Sequence, residues 1–212
     1  MYEYIKGSIL DQKLGPGERL NIDQVARELN CSSVPVREAL ARLHAEKLVI
    51  FVPHHGYRVA PLLDESQYRQ MFEVRYLLEL KAVELVVMKA STEDIQYLEE
   101  IGSTYTHIEG VPTYDKYKPF MTADSQFHRR LFDIAGNVFL TETWEHLHVH
   151  MHQARLYRTK GQVEIVDQAI LEHKDIVQAL KQRSRERAVE AMAQHLMGSF
   201  QRIVGSNLLI RS

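Results

Sequence analysis

Over the first sixty positions the spacing of apolar residues changes character about every ten residues. Ile5 and Ile9 mark a first helix, closed by the turn Leu14-Gly15-Pro16-Gly17. Asn21 is suited to cap a second helix carrying Ile22, Val25, Ala26 and Leu29, and Asn30 to end it in a left-handed position. A third helix follows at once, capped by Ser32 or Ser33, with Val36, Leu40 and Leu43 on one face. The apolar run from Leu48 to Val52, the turn Pro53-His54-His55-Gly56 and then Tyr57-Arg58-Val59 predict a two-stranded hairpin. Two helices joined by a short turn and followed by a β-ribbon make a winged helix-turn-helix, whose second helix enters the major groove of DNA.

After Pro61 the pattern becomes helical and stays so. Helical spacing runs through 65–90, 92–108, 114–135, 138–159, 163–182 and 185–206, with breaks at Ser91, Gly110-Val111-Pro112, Gly136-Asn137, Gly161 and Ser184. The expected fold is therefore mainly α: a winged helix-turn-helix over 1–61, then an antiparallel six-helix bundle over 62–212, long enough for a core of its own.

Composition narrows the setting without changing that picture. No stretch reaches the ~20 apolar residues that span a bilayer, so no membrane partner is expected. The N-terminus lacks the apolar core of a secretory signal, and the single cysteine, Cys31, forms no intramolecular disulfide. The expected location is cytoplasmic. Net charge is −2, with 8 Lys+Arg against 7 Asp+Glu up to residue 61. That balance neither proves nor forbids DNA binding, which needs only a few well-placed cations. The eleven histidines are more conspicuous, since imidazole is the commonest metal ligand.

Specific strings then add to the periodicity. Pro16-Gly17-Glu18-Arg19-Leu20, Ala26-x-x-Leu29 and Ser32-x-x-Pro35-Val36-Arg37-Glu38-Ala39-Leu40-x-x-Leu43 resemble the GntR family of regulators, with His55-Gly56-x-x-Val59 at the place of its wing. Proline within PVREAL is tolerable because a helix's first turn leaves N–H groups unpaired anyway. The remainder resembles the FCD sensing domain of the FadR-type branch, through Arg75-x-x-Leu78-Glu79, Asp124-x-x-Phe127-His128, Glu172-His173-x-x-Ile176-x-x-Ala179 and His195. Six helices rather than seven match its smaller, VanR-like subgroup. Two positions depart from the pattern: Ser33 stands where arginine is frequent, and Lys47 where glycine usually precedes the first wing strand.

The resemblance places a DNA-contacting arginine at Arg37, where a guanidinium forks onto guanine O6 and N7 or clamps a phosphate. A salt bridge with Glu38 is the plain alternative. Ser32 and Ser33 sit where hydroxyls donate to phosphate at a helix N-terminus, a role compatible with simple capping. His55, Gly56 and Arg58 are assigned to the wing tip.

Asp124 and His128 lie four apart on one helix and so share a face, while His173 and His195 belong to two later helices. Spacing does not make them converge; the resemblance implies that they do, as a metal site. One carboxylate and three imidazoles suit Zn²⁺, Ni²⁺, Mn²⁺ or Fe²⁺. An open coordination position would receive the carboxylate of a small organic acid, with Arg75 and Asn137 as further effector contacts. An i,i+4 pair of Arg75 with Glu79 on the helix surface, and helix capping by Asn137, are the competing roles. His146, His148, His150 and His152 form two i,i+4 pairs that also have ligand spacing, and Arg155 and Arg158 offer charge to an anion.

The expected function is a DNA-binding transcription regulator, in the repressor sense, released from a palindromic operator by a small carboxylic acid. It acts as a homodimer, because one recognition helix reads only a half-site. The alternatives are a metal-dependent enzyme with an accessory N-terminal domain, or a regulator whose metal is structural or is itself the signal. No HExxH helix, nucleophile elbow or phosphate loop supports catalysis, and the chain is read as a non-enzyme.

Overall fold

The computed structural model describes residues 1–103, 114–147 and 164–204. The chain forms two compact units, one built from Met1–Leu63 and the other beginning at Asp64.

The first unit holds α1 (Tyr2–Leu10), β1 (Arg19–Leu20), α2 (Ile22–Glu28), α3 (Ser33–Ala45), β2 (Val49–Val52) and β3 (Gly56–Val59). Its core takes Ile5 and Ile9 from α1, Ala26 from α2, Val36, Ala39, Leu40 and Leu43 from α3, and Leu20, Val49 and Val59 from the strands. The side chain of Asn21 accepts from the N–H groups of Asp23 and Gln24, so the expected cap forms. Asn30 follows α2 at φ +49°, as a left-handed stop requires.

The sheet has three strands rather than two, in the antiparallel order β1-β3-β2, with Leu20 opposite Tyr57 and Val49 opposite Val59. Two residues of β1 are too few to show an alternating pattern. The backbone reveals it through bonds from Gly17 N to Val59 O and from Val59 N to Glu18 O.

The end of α3 explains the departure at Lys47. Leu48 N bonds to Leu43 O and Lys47 N to His44 O, which is a Schellman stop, and Lys47 sits in its left-handed position at φ +60°. A side chain there strains the backbone by roughly 1–2 kcal/mol, part of which glycine's extra unfolded-state freedom would cancel. Lys47→Gly is therefore expected to stabilise the protein by about 0.5–1 kcal/mol, seen as a higher urea midpoint at an unchanged slope. An equal or lower midpoint would show that the lysine is not strained.

The second unit contains α4 (Glu65–Lys89), α5 (Thr92–Gly102), α6 (Tyr114–Ala135), α7 (138–147), α8 (Glu164–Lys181) and α9 (Arg185–Val204). Helices α4, α5, α7 and α9 begin within a residue of the expected positions, because their starts carry local signals. Asp64 with Gln67, and Ser91 with Asp94, form reciprocal capping boxes. One difference is the end of α5, at Gly102 rather than 108. Helices α4, α6, α8 and α9 pack around a core in which Phe200 stacks on Tyr68 at 5.5 Å and meets Phe72 at 4.5 Å between ring centres. Among the described residues no helix is long and apolar enough to cross a membrane.

Candidate metal centre and nucleic-acid interface

The middle of the helical unit is polar. Arg75, Glu79, Asp124, His128, His173 and His195 are each at most 2% exposed, an arrangement a core tolerates only when charges and hydrogen bonds answer one another. Asp124 and His128 project from α6, His173 from α8 and His195 from α9, and each offers one ligand atom within 4.8 Å of the others. Asp124 Oδ1 is 3.7 Å from His173 Nε2 and 3.9 Å from His128 Nε2, while His128 Nε2 and His195 Nε2 face each other at 3.2 Å.

The chemistry of this donor set fits a divalent ion. His128 Nδ1 lies 2.6 Å from Glu79 Oε2, and His195 Nδ1 lies 2.9 Å from Glu172 Oε2. An ionised carboxylate only accepts, so both Nδ1 atoms donate, and in the neutral ring each Nε2 then presents a lone pair. Two lone pairs aimed at each other across 3.2 Å repel unless a cation or a proton lies between them. Ligands about 2.0–2.1 Å from a tetrahedral ion stand roughly 3.3 Å apart, close to the spacings found here.

Charge states agree with this. Burial pushes His195 below the ordinary imidazole value, outweighing the upward pull of its bond to Glu172, which favours the neutral ligating form. Burial alone would raise Glu79, but the charge of Arg75 and the bonds donated by His128 and Arg75 hold its carboxyl far below the usual range. Glu172 is likewise lowered, since bonds from His195 and Arg202 overcome its burial. Arg202 grips Glu172 through two nitrogens, each 2.7 Å from an oxygen. Gly198 leaves room for that clamp: a Cβ there would come within 2.8 Å of Arg202 Nη1 and 2.9 Å of Glu172 Oε1. On the far side, the Phe127 ring stacks on His173 at 4.1 Å and fixes its plane.

Arg75 pairs with Glu79, its Nε donating to Oε1 at 2.6 Å, but the pair is in the core and not on the helix surface. Its Nη1 and Nη2 are buried and have no hydrogen-bond partner among the described residues. A buried guanidinium with both Nη atoms lacking an acceptor has donors to offer an anion. Asn137 is not drawn into this cluster. It is exposed, and its Oδ1 caps α7 by accepting from Phe139 N at 3.1 Å and Leu140 N at 3.3 Å, the competing role for that residue. His146 is exposed with Nδ1 2.7 Å from Glu142 O. His148, His150, His152, Arg155 and Arg158 lie outside the described residues.

Sequence reasoning reached Glu172 and Glu79 only within motif strings, gave Glu79 no role beyond the alternative of a surface pair with Arg75, and did not single out Arg202. The signals were slight: Glu79 follows Arg75 by one turn, and Glu172 adjoins His173.

In the other unit, Ser32 occupies the N-cap of α3, exposed and with its hydroxyl making no cap bond, and Ser33 opens the helix. Arg37 is exposed one turn on and forms no ion pair among the described residues, so the alternative bridge to Glu38 is not made. Val34, unremarked in the sequence, is 60% exposed beside them. The wing turn carries His55, whose N–H bonds to Val52 O at 3.0 Å, and Gly56 at φ +77°, a conformation that suits glycine. Arg58 is not at that tip. It lies within β3 opposite Arg19 and Ile50, and its Nη1 donates to Gly17 O at 3.0 Å, tying the sheet to the preceding loop.

Comparison with known proteins gives two family matches, "Bacterial regulatory proteins, gntR family" over residues 1–59 and "FCD domain" over residues 70–198. The HTH-type transcriptional regulator YdhC of Bacillus subtilis is 28% identical over 94% of this chain and 85% of its own length. The HTH-type transcriptional repressor GlaR of Escherichia coli is 27% identical, covering 92% and 90%. The solved structure of E. coli McbR/YncC superposes with a TM-score of 0.72 at 22% identity, over 96% of this chain and 95% of that one, so it speaks to the fold. With a family model matching each part and relatives that are transcription regulators along nearly the whole length, the chain belongs to the GntR family of bacterial regulators that carry an FCD domain.

Proposed function

We propose that this chain is a metal-containing, acid-responsive repressor. Residues 1–61 bind an operator, and residues 62–212 hold the effector and the dimer contact. The observation that carries the reading is the buried Asp124, His128, His173 and His195 set in the same core as the unused guanidinium fork of Arg75. When bound there, a divalent ion supplies positive charge and a coordination position for a carboxylate oxygen. Arg75 would take the effector's anionic end through its two Nη atoms. Zn²⁺, Ni²⁺, Mn²⁺ and Fe²⁺ all suit three imidazoles and one carboxylate.

Ser32, Ser33 and Arg37 at the start of α3, with His55 and Gly56 on the wing, form the DNA-reading set; Arg58 supports the wing from within the sheet. Homodimerisation on a palindromic operator follows from the short reach of one recognition helix. GlaR and RspR, both named repressors, support the sign of regulation. No catalytic step is assigned.

The test begins with selection of duplexes from a random pool by the full chain, followed by a panel of small mono- and dicarboxylic acids against the selected DNA. A palindromic duplex is expected to emerge, and one acid to weaken its binding at least tenfold. That shift corresponds to a difference of about 1.4 kcal/mol between the effector's affinities for the two states. Failure to enrich any sequence would remove the DNA reading, while enrichment with indifference to every acid would remove the effector reading alone.

A further inference from the structure

Glu79 is the point where the candidate metal centre, the anion fork and α7 meet. Its Oε2 accepts from His128 Nδ1 on α6 at 2.6 Å. Its Oε1 accepts from Arg75 Nε on α4 at 2.6 Å and from Trp144 Nε1 on α7 at 3.1 Å. All four residues are at most 3% exposed. Trp144 is the chain's single tryptophan, and its ring stacks on Phe132 at 4.9 Å. Glu172 gives a contrast within the same fold. It holds the ligand His195 in the same manner but is itself gripped by Arg202, on the same helix as that histidine.

We propose that Glu79 is a positioning residue that passes occupancy of the metal and anion sites to α7 through its bond with Trp144. The proposal rests on the metal reading above. A carboxylate is rigid and planar, so its two oxygens turn together. An ion held by His128 Nε2 would adjust the orientation of that ring, and Nδ1, the other nitrogen of the same rigid ring, would move with it. Oε2 would follow its donor, and Oε1 would be displaced against Trp144. An anion drawn onto the Arg75 fork acts on the same oxygen through Nε. Both events therefore converge on one indole N–H, which belongs to a helix that supplies none of the four clustered donors among the described residues. Two-way reading of this kind requires that the carboxylate's three donors come from three different helices, as they do.

The test uses the full-length chain freed of metal and titrated with Zn²⁺, which is redox-inert. Trp144 emission is followed while bound metal is measured independently by competition with a chromophoric chelator. In the wild type, emission is expected to change in step with binding and to saturate at one ion per chain. Glu79→Gln has no good solution. Its NH₂ either opposes the donors of Arg75 and Trp144 or donates to His128 Nδ1, which moves the ring proton to Nε2 and blocks ligation. Zn²⁺ affinity is expected to fall about 10–100-fold, and the emission change to be lost at saturating Zn²⁺. Glu172→Gln is expected to cost affinity to a similar degree, through His195, yet keep the emission change once saturated.

A wild-type chain that binds Zn²⁺ with silent Trp144 would overturn the proposal while leaving the metal reading intact. So would loss of the signal in saturated Glu172→Gln, or its survival in Glu79→Gln. A chain that takes up no Zn²⁺ loses both readings together. If Glu79→Gln fails to fold, the wild type and Glu172→Gln still decide.

Discussion

Replacing Asp124 and His173 together by alanine is expected to reduce bound transition metal from about one ion per chain to background, in protein purified without added metal or chelator. Two of the four converging donors disappear, one from α6 and one from α8. The remaining pair, His128 and His195, is too few to hold an ion in a tetrahedral or octahedral shell. Changes to outer partners alone typically cost 10–100-fold in affinity, so removal of two direct donors costs far more. The fold should survive. His128 and His195 keep their bonds to Glu79 and Glu172, and no surviving group is left as an isolated buried charge.

Stability gives an independent reading of the same site. An ion at a hundred times its dissociation constant stabilises the native state by about 2.7 kcal/mol, so a chelator should lower the unfolding midpoint of the wild type and leave the double mutant unmoved. Metal retained in the mutant at the wild-type stoichiometry would place the ion elsewhere. A metal-free wild type that resists reloading would end the metal reading and leave the family assignment untouched. A chelated wild type that stays folded and still answers its acid would reduce the ion to an optional part.

The helices were legible because their ends are written locally. Asn21, Asn30, Asp64 with Gln67, and Ser91 with Asp94 each satisfy backbone groups within a few residues, and such signals survive without the rest of the fold. β1 was not legible, since Arg19–Leu20 becomes a strand only by pairing with Arg58 and Tyr57 almost forty residues away. The four candidate ligand positions came from the resemblance, and helical spacing accounts for Asp124 with His128 alone. That the other two join them is a tertiary fact. Arg75 and Glu79 show why the chemistry around them was hidden. An i,i+4 ion pair looks the same in sequence whether it lies on a surface or in a core, and burial decides whether it is worth almost nothing or fixes a site. Asn137 carried the opposite ambiguity, and there the local role prevails.

Arg37→Ala is expected to weaken binding to the selected operator by about 1–3 kcal/mol per half-site, a factor of roughly 5–150, if its guanidinium forks onto a guanine. The side chain is well suited to isolate that effect. It is exposed on α3 and enters no ion pair among the described residues, so its removal should change the unfolding free energy by no more than about 0.5 kcal/mol. Lost binding can then be charged to DNA and not to damage. Two further measurements separate base from phosphate. A base contact predicts that the mutant stops discriminating at one position of each half-site while its salt dependence stays nearly unchanged. A phosphate clamp predicts a uniform loss across sequences and a salt slope smaller by about one per contact removed. Arg37→Lys sharpens the distinction, because an ammonium keeps the charge but not the planar fork; it should rescue a phosphate contact and leave a bidentate base contact largely unrestored. Wild-type affinity in Arg37→Ala would take this residue out of the interface and shift the burden of recognition to Ser32, Ser33 and the neighbouring exposed Val34, whose contacts are too weak and too few to specify a half-site without a second charged reader.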